Sequence, residues 1–184
     1  DYGAQISYLY GMHLMGKHDR LGDLLKDIIN GHNNIKSEVM ITPNASTISM
    51  IINGIEHRGV NIIVDEQVEL EKVELSEIEL QRVISNILRN SVTAMKSRGV
   101  ITIRTYYEIN KFVIKIQNNG PKIEENIINK IFEPGFSTKK DEEKNHGFGL
   151  AIVKELVEKQ GGKVTVSSND SITEFTINIP LKKF

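Results

Sequence analysis

The apolar positions of this chain change from helical spacing to alternating spacing near residue 59. Before that point, leucine and isoleucine recur at helical intervals, with a break around Gly16 and Lys17. This spacing predicts an antiparallel helical hairpin over residues 1–40, a linker over 41–46, and a further helix, TISMIINGIEH, that Gly59 stops. The apolar residues of the hairpin have the spacing of a helix–helix seam. They are Leu21, Leu24, Leu25, Ile28 and Ile35.

The rest of the chain alternates between strand and helix patterns. Ser76 and Glu79 have the spacing of a capping box ahead of a long amphipathic helix. The order of elements predicts an α/β fold, a two-layer sandwich of a mixed sheet with helices on one face, in a domain spanning 47–184. Strands are predicted at 60–64, 100–107, 111–117, 163–168 and 172–179, and helices at 76–96 and 147–160.

Composition narrows the possible functions. The chain has 184 residues, of which 39% are hydrophobic, and 23 basic against 24 acidic residues give a net charge of −1. The chain therefore has no overall electrostatic field that would favour binding to nucleic acid or to a membrane surface. Because cysteine is absent, disulfides and thiolate metal sites are excluded, and a cytoplasmic location is favoured. The chain begins with Asp1 and has no signal-peptide pattern, so we expect a fragment whose membrane anchor, if any, lies outside it.

Two glycines mark the start of the helix predicted at 147–160. Gly147 and Gly149 follow a charged stretch and precede the apolar run LAIVKELV. Glycine leaves the backbone N–H groups at a helix start unobstructed, and the helix dipole favours negative charge there. The sequence therefore predicts an anion at this helix start.

Two asparagines, Asn86 and Asn90, lie four residues apart on the helix predicted at 76–96. They occupy a face turned away from the apolar stripe, although asparagine is a poor helix former. The pair is interpreted either as part of a solvated face or as oxygen ligands for a hard cation such as Mg²⁺.

Two loops carry further candidate residues. The segment NNGPKI, beginning at Asn118, is typical of a turn, but an asparagine at a strand end could also bind a base edge. In IFEPGFSTKK, Phe132 and Phe136 flank a Pro-Gly pair, which is consistent with satellite packing or with a hinged lid. Thr138 and Lys139 follow, so a hydroxyl and a cation are available beside that loop.

The order of these segments resembles the ATP-binding domain of the sensor histidine kinases, in the gyrase, chaperone, kinase and mismatch-repair (GHKL) superfamily. NILRNSVTA is similar to the family's N box, NNGPKI to its first glycine box, IFEPGFSTK to its F box and HGFGLAIV to its second glycine box. The resemblance covers about residues 46–180. It implies a Bergerat-type sandwich that binds ATP and Mg²⁺.

The resemblance also implies individual roles. Asn90 is the implied Mg²⁺ ligand, and Asn118 accepts a hydrogen bond from the adenine amino group, where the family usually has aspartate. Lys122 and Asn145 replace glycines of the two glycine boxes. The implied ATP-binding residues are Asn86, Asn90, Asn118, Gly120, Phe132, Thr138, Lys139, Gly147, Phe148, Gly149, Leu150 and Thr173.

One position separates kinases from the related ATPases. The gyrase, chaperone and mismatch-repair ATPases carry a glutamate where this chain has Asn86, and that glutamate activates water as a general base. An amide does not accept a proton at neutral pH, so the resemblance implies that the phosphoryl group is transferred to a histidine instead.

The first 29 residues resemble the citrate- and fumarate-sensing kinases and the sporulation phosphotransferase. This register places the phosphoacceptor histidine immediately before Asp1, which would orient and activate its imidazole. His13 would then lie on a helix surface and His18 in a turn, and both stay open as alternative acceptors. Ala4 stands where related proteins often have the asparagine of phosphatase chemistry, which argues against phosphatase activity.

The expected partners are a second copy of the chain, through the helices of 1–40, and the receiver aspartate of a response regulator. Two other functions stay open. One is an anti-sigma-like interaction module in which ATP gates partner binding and a protein serine receives the phosphate. The other is a degenerate scaffold that binds no nucleotide.

Overall fold

The computed structural model describes residues 47–55, 59–66, 73–95, 98–138 and 148–181, and seven single residues nearer the N terminus. By its contacts the chain divides into two compact units, Asp1–Glu56 and His57–Phe184. The predicted limits 1–40, 41–46 and 47–184 stay a prediction. No helix within the described ranges is both long and apolar enough to cross a membrane.

The first unit contains helix α1 (Thr47–Asn53). Ile48, Met50 and Ile51 of α1 are fully buried. The helix ends at Asn53 because the N–H of Gly54 bonds back to the carbonyls of Met50 and Ile51 in a turn. The predicted continuation through Ile55 towards Gly59 is therefore wrong.

The seven single residues of the first unit are all helical. His13 and His18 are exposed, and their ring centroids lie 5.4 Å apart in an edge-on arrangement. The predicted turn position of His18 is wrong, because His18 and Asp19 are both helical. The pairing of the two predicted helices and the linker 41–46 lie outside the described residues. The single residues are Leu9, His13, His18, Asp19, Leu21, Gly22 and Leu25.

The second unit is built on a five-stranded mixed sheet in the order β1-β2-β3-β5-β4. Strands β1 and β2 are parallel, and the other neighbours are antiparallel. The predicted two-layer sandwich is confirmed. Its elements are β1 (Val60–Glu66), α2 (Glu77–Ala94), β2 (Gly99–Glu108), β3 (Lys111–Asn118), α3 (Glu125–Ile128), α4 (Gly149–Lys159), β4 (Lys163–Ser168) and β5 (Thr173–Pro180).

Helices α2 and α4 pack against each other and against the sheet. The predicted capping box starts α2, since the Glu79 N–H donates to Ser76 Oγ at 3.2 Å and the Ser76 N–H donates to Glu79 Oε2 at 2.9 Å. The apolar face of α2 is buried, as are Val153 and Val157 of α4. Burial of these faces orients α2 and α4 and thereby directs their polar residues to one end of the sheet.

One core residue carries an unsatisfied polar atom. Within the described part of the chain, Thr105 of β2 is fully buried and its Oγ1 has no hydrogen-bond partner. Replacing it with valine, of similar shape, is expected to raise the free energy of unfolding by about 1 kcal/mol, because the desolvation cost of the hydroxyl is removed. Denaturant unfolding would measure the change. Thr105→Ser keeps the hydroxyl and loses a methyl, so a gain in stability for that variant would contradict the explanation.

The other face of the sheet carries an ion pair. Lys115 Nζ lies 3.1 Å from Glu174 Oε1, and Gln117 also donates to Glu174. Burial alone would raise the pKa of Glu174, but hydrogen bonds from Gln117 and Lys115 and the charge of Lys115 bring this pKa below its ordinary value. The hydrogen bond and charge of Glu174 raise the pKa of Lys115. The ion pair therefore stabilises the folded state at pH values between the ordinary pKa of glutamate and the ordinary pKa of lysine.

The pair gives a pH-dependent prediction. Glu174→Gln is expected to lower the free energy of unfolding at pH 7 by about 0.5–1 kcal/mol. Because the folded pKa of Glu174 is lowered, its stabilising effect is present above the ordinary glutamate pKa of about 4.3 and is lost as the pH falls through the lower folded pKa. There the neutral carboxyl of the unaltered chain resembles the glutamine of the variant, so the difference should shrink. The exposed pair Lys111–Glu108 provides the control, since Glu108→Gln should show a smaller change. A Glu174→Gln deficit that persists at low pH would refute the electrostatic origin.

Candidate functional site

A cavity of about 610 Å³ lies where α2, the start of α4 and the ends of β3 and β5 meet. Residues far apart in the sequence line it, on both helices, on two strands and on the segment between β3 and α4. The residues predicted from the sequence that line this cavity are Asn86, Asn90, Asn118, Thr138, Gly149, Leu150 and Thr173.

The helical side of the cavity is formed by α2 and the first turn of α4. Asn86 Nδ2 donates to the carbonyl oxygen of Gly149 at 3.3 Å, which links the two helices. Among the described residues, Asn90 has no side-chain hydrogen-bond partner, although it lines the same cavity. The residue before α4 is Phe148, which has no polar side chain to cap the helix. The backbone N–H groups of the first turn therefore remain available to an anion.

The sheet side of the cavity is formed by Asn118 of β3 and Thr173 of β5, which are register partners. Their exposed fractions are only 5% and 2%. Thr173 Oγ1 lies 2.6 Å from the hydroxyl of Ser168, and that hydroxyl accepts the N–H of Ile123 at 2.9 Å. Ser168 was not predicted, since a serine in an edge strand resembles any other surface residue.

The carboxamide of Asn118 is held by two hydrogen bonds. Its Oδ1 accepts the N–H of Gly120 at 3.0 Å, and its Nδ2 donates to Ser91 Oγ at 3.2 Å. Ser91 lies on the buried face of α2, next to Asn90. A Cβ on Gly120 would lie 2.9 Å from Asn118 Oδ1, so glycine is needed there for this approach. Neither Ser91 nor the Gly120 N–H bond was recognised from the sequence.

The second asparagine of NNGPKI is structural. Asn119 Oδ1 accepts the N–H of Val100 at 2.8 Å, and the Asn119 N–H donates to the Val100 carbonyl at 3.3 Å. Asn119 thus extends the pairing of β3 with β2 by one residue. Of the two interpretations of this segment, the structural one therefore fits Asn119, and a side chain that faces a ligand cavity fits Asn118.

Arg89 is a cavity residue that was not predicted from the sequence. It lies between the two cavity asparagines and also lines the cavity. Partial burial lowers the pKa of its guanidinium, which still stays protonated at neutral pH. Arginine is common on exposed helix faces, so the sequence offered only its position next to Asn90 as a signal. The cavity is therefore lined by a basic side chain as well as by the first turn of α4.

Apolar side chains form the remaining wall of the cavity. Periodicity alone cannot separate them from ordinary core residues, because both are apolar positions that are at least partly buried. A flat apolar ligand group would be buried against them. They are Ile123, Ile127, Ile131, Phe136 and Phe175.

Three described residues of the predicted set do not line the cavity. Gly120 contributes through its N–H bond to Asn118. Phe132 packs edge-to-face on Phe175, with ring centroids 6.4 Å apart. Phe148 is half exposed and approaches Gly135. The predicted residues Asp1, Lys139 and Gly147 lie outside the described part of the chain.

The donors in the cavity fit a hard cation that is bound together with an anionic ligand. Within the described ranges there is no group of three or more His, Cys, Asp or Glu residues that could hold a metal alone. The amide oxygens of Asn86 and Asn90 are hard donors, and Mg²⁺ commonly takes one or two protein ligands and completes its shell with phosphate oxygens and water.

Three comparisons relate the chain to known proteins. Residues 75–183 match the family described as histidine kinase-, DNA gyrase B-, and HSP90-like ATPase. The chain is similar to the sensor histidine kinase GlnK of Bacillus subtilis, with 33% identity over 103 residues, 54% of this chain and 25% of that protein. It is also similar to the sensor protein CitS of Halalkalibacterium halodurans, with 29% identity over 137 residues, 69% of this chain and 25% of that protein.

Among solved structures, the fold is similar to the catalytic domain of the histidine kinase ThkA in a nucleotide-free form. The TM-score is 0.62 at 26% identity, covering 73% of this chain and 87% of that one. The chain spans only about a quarter of the length of GlnK and CitS.

Proposed function

Because the chain belongs to the family of histidine kinase-, DNA gyrase B- and HSP90-like ATPases, we propose that it is the catalytic part of a sensor histidine kinase. In this proposal it binds Mg-ATP and transfers the terminal phosphoryl group to a histidine and then to a response-regulator aspartate. The observation that carries the proposal is the convergence of Asn86, Asn90 and Gly149 with Asn118 and Thr173 around one cavity.

The cavity suggests how ATP would be oriented. The triphosphate would lie at the start of α4, where uncapped N–H groups, the helix dipole and Arg89 favour negative charge. Asn90 would hold Mg²⁺, which when bound neutralises charge on the phosphate oxygens. The adenine would lie towards Asn118 and Thr173, against the apolar wall. Thr138 and Leu150 would contact the nucleotide, as would Lys139 and Gly147 in the resemblance.

The transfer step would be an in-line displacement. A ring nitrogen of the histidine attacks the terminal phosphorus, a nitrogen–phosphorus bond forms, and the bond from phosphorus to the bridging oxygen breaks. ADP leaves with that electron pair, and the other ring nitrogen, oriented by Asp1, would release its single proton to that carboxylate or to water. Asn86 disfavours attack by water, because its amide accepts no proton and its Nδ2 already donates to Gly149.

The wider assembly is part of the same proposal. The chain would form a homodimer through the helices of residues 1–40 and act in the cytoplasm on a response-regulator receiver domain. The acceptor would be the histidine immediately before Asp1. His13 and His18, which are exposed, are the alternatives within the chain.

Two measurements test the proposal. Titration calorimetry should detect Mg-ATP binding to the chain, and absence of binding would favour the nucleotide-free scaffold. Labelled ATP should then phosphorylate a protein that is extended upstream of Asp1. The label should be acid-labile and base-stable, as expected for phosphohistidine, and it should still appear in the variants His13→Gln and His18→Gln. Label found on His18 and not on the residue before Asp1 would refute the proposed register. Label on a partner's serine would favour the anti-sigma-like module.

A further inference from the structure

We propose that Asn118 recognises two neighbouring atoms of adenine at once, the amino group and the adjacent ring nitrogen, and that the Gly120 N–H makes this recognition specific for adenine. The inference rests on the proposed function, in which Asn118 accepts a hydrogen bond from the adenine amino group as the resemblance implies. It adds the contact from Nδ2 to the ring nitrogen and the role of the Gly120 N–H in fixing the amide. It assigns positioning roles to Gly120 and Ser91, which do not line the cavity themselves.

The main chain determines which way the Asn118 carboxamide faces. Only the amide oxygen can accept the Gly120 N–H, so Oδ1 must be the atom 3.0 Å from Gly120 N. Ser91 Oγ, 3.2 Å from Nδ2, can accept or donate and would tolerate either orientation. A flipped amide would direct an N–H at the Gly120 N–H. The Gly120 bond therefore fixes the orientation.

The fixed carboxamide retains one acceptor and one donor. Oδ1 has a second lone pair and Nδ2 a second hydrogen beyond the bonds to Gly120 and Ser91. Asn118 is buried and lines the cavity, so a ligand there would meet these groups in place of water. If the base left Oδ1 or Nδ2 without a hydrogen-bond partner, binding would lose the desolvation free energy of that group. The affinity therefore depends on how well the base matches both atoms.

Adenine matches this arrangement, and oxo-purines do not. Its amino group donates, and a ring nitrogen beside it, N1 on one edge or N7 on the other, accepts. Hypoxanthine and guanine carry an oxygen in place of the amino group, which would face Asn118 Oδ1 as acceptor against acceptor. A carboxylate at residue 118 would accept from the amino group but donate nothing to the ring nitrogen. An unrestrained amide would flip and accept an oxo-purine.

Nucleotide analogues test the inference on the unaltered chain. Titration calorimetry would compare the magnesium complexes of ATP, 1-deaza-ATP, 7-deaza-ATP and ITP. One of the two deaza analogues should bind about tenfold or more weakly than ATP, because Nδ2 loses its acceptor, and the affected analogue identifies the edge. ITP should also bind about tenfold or more weakly. Equal binding of ATP and both deaza analogues would refute the inference while leaving the proposed function intact.

A matched variant attributes the loss to Asn118. In Asn118→Asp the side chain has no donor, so the penalty for the deaza analogue should fall to within about threefold of ATP binding. A penalty that persists in this variant would mean that another group contacts the ring nitrogen and would refute the inference. If Asn118→Asp fails to fold, Gly120→Ala serves instead, because its Cβ would displace the carboxamide. No Mg-ATP binding by the unaltered chain would reject the proposed function itself.

Discussion

Replacing Asn90 with alanine is expected to weaken Mg-ATP binding and histidine phosphorylation by at least about a hundredfold. Asn90 lines the cavity beside Arg89 and Gly149 and has no side-chain hydrogen-bond partner among the described residues. Its amide oxygen is thus available to a ligand, and the loss should fall on binding rather than on folding. Titration calorimetry with Mg-ATP measures the affinity, and thermal melting should show little change in stability.

The exposed Asn61 of β1 offers a matched control, because it lies far from the cavity in the sheet order and does not line it. Asn61→Ala should leave Mg-ATP affinity within about twofold of the unaltered chain, as expected for a surface substitution. Excess magnesium should restore part of the affinity of Asn90→Ala if metal binding is what the substitution weakens. Unchanged Mg-ATP affinity in Asn90→Ala would contradict the proposed site.

Replacing Gly162 with alanine is expected to lower the free energy of unfolding by about 3 kcal/mol or more. Gly162 lies just after α4, where its N–H donates to the Val157 carbonyl at 2.9 Å. A Cβ there would lie 2.5 Å from the carbonyl oxygen of Asn178 in β5 and 2.9 Å from Val157 Cγ1. The Asn178 carbonyl belongs to β5, an interior strand that is paired on both sides, so its backbone cannot move cheaply. The end of α4 and β5 would therefore have to separate.

Its neighbour Gly161 separates crowding from backbone conformation. Gly161 has φ +75, and a Cβ there would meet nothing closer than Pro180 Cγ at 3.8 Å. Gly161→Ala should therefore cost only about 1–2 kcal/mol, from the left-handed conformation. Denaturant unfolding of both variants gives the comparison. If Gly162→Ala costs no more than Gly161→Ala, close packing is not the reason for the second glycine.

Local signals in the sequence predicted the elements of the second unit closely. The capping box of Ser76 and Glu79 forms as predicted and starts α2 at Glu77. The helix predicted at 147–160 is described as Gly149–Lys159, and the last strand, predicted at 172–179, is Thr173–Pro180. These features depend on residues within one or two turns, or on strict alternation, which the order of side chains specifies directly.

The missed and misplaced features each lack such a signal. Helix α3 has four residues, too few to show a period, and the side chain of its N-cap residue, Glu124, makes no capping hydrogen bond. Helix α1 ends at Asn53, before the turn at Gly54, and not near Gly59, because an interior glycine alone does not reveal whether a helix continues. Arg89 lines the cavity but has the sequence pattern of an exposed helix residue.

The sequence by itself determined the strands and the two long helices of the second unit, the family to which the chain belongs, and the residue types suited to a phosphate and a cation. Only the tertiary structure decided that Asn86 and Gly149, 63 positions apart, meet across a hydrogen bond, and that Ser91 and Gly120 hold Asn118. The physical reason is the distance along the sequence over which each interaction acts. Periodicity and capping act over a few residues, whereas a cavity forms where buried faces of separate elements pack, and its polar partners follow from that packing.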